Sequence, residues 1–330
     1  MNSLNKRKFM ISTIALAATL ASANVLAQAG TDWPTRPVNI VVGFSAGGPT
    51  DAVARILAEQ LSNKFGQSFV IENRAGAGGG VAAAQVKKAA PDGYTLMFGS
   101  SGTLSVLPNL KKDLPYDPIK DFTPVGLVAS YPYFLVTSSS SPLTSLDALI
   151  QKGRDPSSKL SYASAGNGAV NHLAGEWFKN ETKISAVHIP YKGDSAAVAD
   201  LLAGRVDFAF LAGAAALPHV KSGKLRMLAS ASAVPGRGGD GVPTIGVSLI
   251  KGFAAEPWNG VMAPAGLPQP IVTKLNAAIN EIMNRKDIVE RLAAMEQYPL
   301  TGTPQQFSNH IKEQTDRWAT VIKTADIKSD

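Results

Sequence analysis

The sequence predicts an α/β fold in which most strands run parallel. Short apolar runs alternate with amphipathic stretches along most of the chain, which is the pattern of repeated strand–helix–strand units. With 330 residues and 45% hydrophobic content, the chain is long enough for two domains of roughly 150 residues each. Charged residues make up only 17% of it, so disorder of the whole chain is excluded.

The N-terminal segment is expected to be a secretory signal peptide over 1–27. Lys6, Arg7 and Lys8 precede an uncharged, mostly apolar stretch over 9–23, and small or apolar residues precede Gln28. The apolar part is shorter than the roughly 20 residues that span a bilayer, which argues against an uncleaved anchor. We therefore expect cleavage near Ala27 and a soluble periplasmic protein.

Strands and helices are expected to alternate through the next part of the chain. A strand over 38–44 precedes a helix over 50–65, in which apolar residues recur every three or four positions. The following elements are a strand at 68–72, a helix at 81–89, a strand at 94–99, a β-rich segment at 121–136 and a short helix at 145–151. Pro124 and Pro132 are expected to interrupt the β-rich segment.

The same order begins again at Leu160. Strands are expected at 160–163, 186–190, 206–211, 225–229 and 258–263, and helices at 170–179, 195–202, 270–284 and 303–323. The run of three glycines at 78–80 fits a dinucleotide-binding pattern, but the next strand ends at Ser100 without the acid that would hold a ribose. We therefore interpret the run as a tight turn where two backbones approach.

A tripeptide is repeated at corresponding places in the two halves. Ser45-Ala46-Gly47 follows the first strand, and Ser164-Ala165-Gly166 follows the strand that begins at Leu160. Ligands of open α/β sheets bind at the carboxyl ends of the strands. The repeat therefore suggests two similar lobes that face each other across a ligand.

One interpretation of the first tripeptide is catalytic. Residues 43–47 match the G-x-S-x-G elbow of serine hydrolases, with Ser45 as nucleophile and Asp207 with His219 or His310 as partners. No preceding strand supplies an oxyanion hole, and the histidines have no local signature. An exported serine hydrolase stays an alternative function.

A second interpretation is anion binding without chemistry. Glycines at 47, 48, 166 and 168 leave two helix N-termini without side-chain cover, and such termini present unpaired N–H groups and partial positive charge. Two of them in one cleft would hold a carboxylate or phosphate. The chain has no cysteine and no two histidines at zinc-protease spacing, so we expect no metal site. In a binding protein of this kind we also expect no cofactor and no catalytic residue.

Motifs along nearly the whole chain resemble one family. These motifs are Trp33-Pro34-Thr35-Arg36-Pro37-Val38, Phe44-Ser45-Ala46-Gly47-Gly48-Pro49-Thr50-Asp51, Glu72-Asn73-Arg74-Ala75-Gly76-Ala77-Gly78-Gly79, Ala90-Pro91-Asp92-Gly93-Tyr94-Thr95, Tyr162-Ala163-Ser164-Ala165-Gly166-Asn167-Gly168 and Ile189-Pro190-Tyr191-Lys192-Gly193. The sequence is similar to the tripartite tricarboxylate transporter receptors of the Bug or TctC type.

The resemblance implies a type II periplasmic binding protein, with two α/β lobes, a two-strand hinge and a ligand in the cleft. It implies lobe 1 over 30–132 plus 256–330 and lobe 2 over 133–255. It also implies capture of an organic acid and its delivery to a two-subunit membrane permease, with the receptor as a monomer and no nucleic-acid partner. A periplasmic sensor or scaffold is a further alternative.

Matching positions nominate the ligand-binding residues. In lobe 1 they are Phe44, Ser45, Ala46, Gly47, Gly48, Thr50 and Asp51, and in lobe 2 they are Ser164, Ala165, Gly166, Asn167, Gly168 and His172. Three further candidates do not rest on a matching position, namely Ser100, Asp194 and Phe210. Asp51 with Arg55 and His172 each have a purely structural interpretation as well, namely a pair along one helix and a packed core histidine.

Asp194 departs from the family pattern, which has a small or hydroxyl residue there. It either caps the next helix or recognises an amino, amide or hydroxyl group of the ligand, and the neighbouring Lys192 could pair with it. Glu256 adds a second unusual acid near the hinge. Phe44, Tyr133, Phe210 and Trp258 are expected near strand ends, where they would give the cleft an apolar wall.

Overall fold

The computed structural model describes residues 32–191, 193–237 and 241–327. The predicted signal peptide and Lys192 lie outside these residues. The described chain forms two separate sheets. The strands of the first, in order across the sheet, are Tyr298–Pro299, Phe122–Ser130, Trp258–Pro264, Thr95–Ser100, Val38–Val42 and Phe69–Asn73. Those of the second are Ala186–Pro190, Leu160–Ser164, Phe208–Ala212, Tyr133–Ser138 and Leu225–Ser230. Helices pack against both sheets, so the α/β prediction is confirmed.

The first sheet gathers strands from both ends of the described chain. Its strands are β1 (Val38–Val42), β2 (Phe69–Asn73), β3 (Thr95–Ser100), β4 (Phe122–Ser130), β10 (Trp258–Pro264) and β11 (Tyr298–Pro299). Its helices are α1 (Pro49–Phe65), α2 (Gly80–Val86), α3 (Leu107–Leu110), α9 (Gln269–Met283), α10 (Lys286–Ala293) and α11 (Pro304–Thr324). Strand β1 is parallel to both β2 and β3, whereas β10 runs antiparallel between β3 and β4.

The second sheet is built from the middle of the chain. Its strands are β5 (Tyr133–Ser138), β6 (Leu160–Ser164), β7 (Ala186–Pro190), β8 (Phe208–Ala212) and β9 (Leu225–Ser230). Its helices are α4 (Leu146–Arg154), α5 (Val170–Thr182), α6 (Asp194–Leu202), α7 (Gly213–Lys221) and the short α8 (Ile245–Ser248). Strand β6 is parallel to β7 and β8, while β5 is antiparallel to β8 and β9.

The chain passes between the sheets twice, and the two passages are hydrogen-bonded to each other. Tyr131 N–H donates to the carbonyl of Pro257 at 3.0 Å, and Tyr133 N–H donates to that of Ala255 at 3.3 Å. The unusual acid Glu256 lies in this region and accepts hydrogen bonds from Arg237 and Ser232. Glu256 is therefore part of the connection between the sheets.

Helix α11 packs on both sheets. Its first half places Phe307 and Ile311 in an apolar cluster with Trp258 of the first sheet. Its second half places Trp318 and Val321 in the main cluster of the second sheet. Among the described residues, no helix has both the length and the apolar character needed to cross a bilayer.

Most element predictions agree with the structure to within a few residues, and the differences have physical reasons. Pro124 does not break the sheet, because it lies within β4 beside an irregular register against β10. The glycine run is a close approach, as expected: a Cβ on Gly43 would lie 2.6 Å from Gly79 Cα. Helix α7 was not predicted, and it contains an internal proline, Pro218, which is unfavourable within a helix.

Candidate ligand-binding site

A cavity of about 510 Å³ lies where the loop after β1 meets the start of α7. The residues that line the cavity belong to segments that pack on the first sheet and on the second sheet, and most of them are aliphatic or glycine. It consists of Gly47, Gly48, Pro49, Ala52, Gly213, Ala214, Leu217, Pro218, Lys221, Ala294, Met295 and Gln297. Its volume suits a small organic molecule.

Asp51 stabilises the loop that follows β1 through hydrogen bonds of its buried carboxylate. The Asp51 carboxylate accepts hydrogen bonds from Gly47 N–H at 2.9 Å, from Arg55 Nε at 2.8 Å and from Asn73 Nδ2 at 2.8 Å. Asn73 also donates to the carbonyl of Phe44. Burial alone would raise the pKa of Asp51, but these hydrogen bonds outweigh it and lower the pKa below its ordinary value. With its side chain only 2% exposed, Asp51 holds the loop in place.

Helix α1 begins at this loop without a side-chain cap. Its N-cap residue is Gly48, and Pro49 occupies the first helical turn. Gly47 has a φ of +82°, and a Cβ built on it would meet no atom within 4 Å. The first turn of α1 therefore presents main-chain N–H groups and the positive end of the helix dipole beside the cavity.

The repeated tripeptide after β6 is stabilised by two stacked histidines. Ser164 Oγ lies 2.7 Å from His188 Nε2 and accepts from Gly166 N–H at 3.1 Å. Gly168 N–H donates to His172 Nδ1 at 3.1 Å, and the two imidazole rings stack at 3.9 Å. Burial, with the neighbouring His172, lowers the pKa of His188 to about 4. These side chains stabilise the conformation of the loop. Helix α5, which follows it, begins without a side-chain cap.

Asn171 and Asp194 connect three strand ends of the second sheet. Asn171 Oδ1 accepts from Ala165 N–H at 3.2 Å, and its Nδ2 donates to Asp194 Oδ1 at 2.9 Å and to the carbonyl of Phe210 at 3.2 Å. Ala212 N–H also donates to the Asp194 carboxylate. Asp194 is the first residue of α6, and the N-cap Gly193 makes no side-chain cap, so the acid does not act as the N-cap.

The environment of Asp194 disfavours its charge. Burial raises the pKa of Asp194 to about 6, although the hydrogen bonds from Asn171 and Ala212 oppose the shift. Tyr131 and Tyr133 lie nearby, and burial together with the charge of Asp194 raises the pKa of both phenols. Ala212 immediately precedes Gly213 of the cavity lining, so this acid lies one residue behind the cavity wall.

Segments that pack on the first sheet contact segments that pack on the second sheet at two glycines. A Cβ on Gly213 at the start of α7 would lie 2.6 Å from Glu296 Cβ, and a Cβ on Gly168 would lie 2.7 Å from Leu110 Cδ1. Only a residue without a side chain allows these approaches. The first loop therefore faces the start of α7 across the cavity, while the second loop packs near α3.

The remaining nominated residues have mixed placements. Ser100 is buried and hydrogen-bonded to Thr103, and Thr50 is buried in the first turn of α1. Phe44 packs against the core of the first sheet. The predicted aromatic wall is wrong for Phe210 and Trp258, which are 0% and 1% exposed within the cores. Aliphatic residues of the cavity provide the apolar surface instead.

The residues of the hydrolase alternative are not assembled. Asp207 accepts hydrogen bonds from the main chain and hydroxyl of Ser161, and the ring of His310 packs against Trp258. His219 lies in the last turn of α7. Within the described ranges, neither Asp207 nor His310 nor His219 is hydrogen-bonded to Ser45, and no cluster of three potential metal ligands occurs.

Two parts of the cavity lining were missed from the sequence. One is the first half of α7, and the other is the segment Ala294–Gln297 that follows α10. The sequence contained a signal for the start of α7. Gly213 directly follows the buried strand β8, and Gly47 and Gly166 likewise lie a few residues after buried strands. The second segment is brought to the cavity by tertiary packing, for which the local sequence has no signature.

A family model and known proteins match this chain over most of its length. The model described as "Tripartite tricarboxylate transporter family receptor" matches residues 53–327. Protein BugT of Bordetella pertussis is 38% identical over 311 residues, which cover 94% of this chain and 95% of BugT. Both matches cover more than four fifths of this chain.

Two solved structures with organic acids are also similar. "R. palustris Rpa4515 with adipate" is 36% identical with a TM-score of 0.82, and it covers 90% of this chain and 100% of its own. MatC (Rpa3494) from Rhodopseudomonas palustris with bound malate is 33% identical with a TM-score of 0.73, and it covers 88% of this chain and 100% of its own. These likenesses extend to both sheets.

Replacement of Asp194 by Asn is expected to change stability in a pH-dependent way. Because the folded-state pKa is raised to about 6 from a reference of 3.8, the wild-type protein loses stability as the pH rises between these values. The asparagine side chain of the variant does not ionise, so the free energy of unfolding of Asp194→Asn relative to wild type should increase by about 1–3 kcal/mol between pH 4 and pH 8. Denaturant unfolding at several pH values measures this difference, and a difference that stays constant with pH would contradict it.

Proposed function

Because the chain belongs to the tripartite tricarboxylate transporter receptor family, we propose that it captures a small organic acid by at least one carboxylate and delivers it to a membrane permease. Receptors of this family are periplasmic solute-binding proteins. The observation that carries the proposal is the aliphatic cavity between the uncapped start of α1 and the start of α7.

The ligand class follows from this geometry and from the relatives. Helix N-termini favour anions, and the cavity wall of Pro49, Ala52, Ala214, Leu217 and Met295 favours an apolar body. Lys221 adds a cation to the lining. The structures with adipate and malate show dicarboxylates bound to two similar proteins, which supports an organic acid here.

The nominated residues divide into two roles in this proposal. Main-chain N–H groups of the loop over 44–48 bind the carboxylate, except that of Gly47, which donates to Asp51. Side chains of Ser45 and of Asn167 in the loop over 165–168 add contacts. The side chains of Asp51, Ser164 and His172 position those loops, as their hydrogen bonds indicate. Ser100, Thr50 and Phe210 support the strand ends.

We also propose the lobe boundaries and the cellular context. Lobe 1 comprises 30–132 plus 256–330 and lobe 2 comprises 133–255, with the paired passages near Tyr131 and Ala255 as the hinge. The signal peptide is cleaved near Ala27, and the mature monomer meets a permease of two subunits. Without catalysis, delivery requires only closure around the ligand and its release.

A screen of organic acids by thermal shift and calorimetry tests the function. Adipate, malate, citrate, glutamate and an aromatic carboxylate serve as ligands. At about 100 times its dissociation constant, a ligand that binds only the folded state adds roughly 2.7 kcal/mol to the free energy of unfolding. At least one acid should bind with 1:1 stoichiometry, and its amide, which lacks the anionic carboxylate, should not. Turnover of an ester that depends on Ser45, or binding of a protein alone, would contradict the proposal.

Valine at Gly47 is expected to weaken carboxylate binding at least tenfold. Gly47 lines the cavity and has a φ of +82°, so a branched side chain would occupy the place of the anion. Gly66→Val is the matched control, because Gly66 also has a positive φ of +67° and open space but lies at the opposite end of α1. Calorimetry with the acid that binds best should show near wild-type affinity for the control.

Alanine at Ser45 completes this comparison. Loss of one hydroxyl should cost only about 0.5–1.5 kcal/mol of binding free energy, because main-chain groups carry most of the contact. Equal losses in Gly47→Val and Gly66→Val, or complete loss of binding in Ser45→Ala, would contradict the main-chain role.

A further inference from the structure

We propose that Asp194 is a specificity residue that binds an ammonium group of the ligand, so that the preferred ligand is an amino-bearing carboxylic acid. The proposal rests on the function proposed above and names the ligand class more closely. It starts from a carboxylate in the first turn of α6 with two described hydrogen-bond donors, Asn171 Nδ2 and Ala212 N–H.

Asp194 belongs to the same edge of the second sheet as the repeated tripeptide. Tyr191 N–H donates to the carbonyl of Ser164 at 3.0 Å, and Gly193 N–H donates to that of Ala165 at 3.2 Å. These bonds fasten the segment before Asp194 to the loop that is proposed to bind the carboxylate. Asn171 bridges the same loop to Asp194 directly.

Asp194 makes no ion pair among the described residues, although an acid in the first turn of α6 is favoured by the helix dipole. Helix α6 has Gly193 as its N-cap and no side-chain cap, so a capping role does not explain an acid here. The two described donors to Asp194 are neutral, namely Asn171 Nδ2 and Ala212 N–H. Two carboxylate oxygens together offer about four acceptor positions, which leaves acceptor capacity for a ligand.

The surroundings of the carboxylate suit a cation. Tyr131 and Tyr133 face Asp194 from the hinge strand side, and their rings pack edge to face at 5.9 Å. They are the titratable groups near Asp194 in the described part of the chain, while Lys192 lies outside it. A buried carboxylate is stabilised most by a paired cation with N–H donors, and aromatic rings add attraction for an ammonium group.

The position of the acid relative to the cavity fits a ligand with two ends. The Asp194 carboxylate accepts from Ala212 N–H, and the next residue, Gly213, lines the cavity opposite Gly47 and Gly48. One end of the ligand would meet the main-chain N–H groups and the other would meet Asp194. A second carboxylate at that place would be repelled by the acid.

Calorimetry with matched pairs of acids tests the proposal. The probes at pH 8 are hexanoate, 6-aminohexanoate, 2-aminohexanoate and adipate. In the wild-type protein at least one amino acid should bind about tenfold or more tightly than hexanoate, because a charge-assisted hydrogen bond is gained. In Asp194→Asn this ratio should fall to near one. The wild-type preference should also decrease below pH 6, where the acid becomes neutral.

Asp147→Asn is the matched control. Asp147 is an exposed acid in the first turn of α4, on the same sheet, so its replacement changes the net charge equally and should leave the ratio as in wild type. An unchanged ratio in Asp194→Asn, or tighter binding of adipate than of both amino acids, would overturn the proposal while leaving the receptor function intact. Binding of none of these acids, nor of any in the wider screen, would instead overturn the receptor function.

Lys192→Met addresses the neighbouring cation. If the wild-type protein shows no preference and Lys192→Met gains one, Asp194 is neutralised within the protein, and the proposal is overturned. If Lys192→Met keeps the wild-type preference and Asp194→Asn loses it, the ligand's ammonium group is the cation that Asp194 binds, as proposed.

Discussion

The N–H groups in the first turn of a helix have no hydrogen-bond partner within that helix. The proposed site depends on whether side chains of the protein cap these groups or leave them for a ligand. Helices α1, α5, α6 and α7 all begin beside strand ends, and none of them has a side-chain cap. The polar side chains that could have capped them are engaged elsewhere. Asp51 and His172 each accept from a glycine N–H of the adjacent loop. The loops are thereby rigid, and their remaining main-chain groups are available to an anion.

In the proposed site, the groups that would anchor the ligand's carboxylate differ from the groups that would discriminate between ligands. Main-chain N–H groups anchor the carboxylate in this proposal, so the same loops could serve many ligands. Discrimination must come from side chains farther along the cavity, where Lys221 and the aliphatic residues of α7 lie. Asp194 adds an acid behind that wall, in surroundings that raise its pKa. A buried carboxylate charge is costly unless it is paired with a cation. The proposed partner of the Asp194 carboxylate is an ammonium group of the ligand.

The sequence was sufficient for the fold and for the loops, because both depend on local patterns. Apolar runs bounded by glycine predicted β1 and β6, and the repeated tripeptide predicted the two loops. The side-chain roles could not be derived in the same way. Asp51 looked like a ligand contact or a helix pair, and only the folded loop shows that it binds Gly47 N–H. Helix α7 and the segment at 294–297 reach the cavity through long-range packing, and Phe210 turned inward because its strand is covered on both faces.

Amide chemical shifts during titration with the best-binding acid test the central claim most directly. The N–H groups of Gly47, Ala165 and Gly168 already donate within the loops. In a deuterated, ¹⁵N-labelled sample, the N–H resonances of Ser45, Ala46 and Gly48 should move together with one dissociation constant, as expected for direct hydrogen bonds to a carboxylate. Saturation of binding with those resonances unmoved, and with shifts confined to lysine or arginine side chains, would contradict the main-chain anchor.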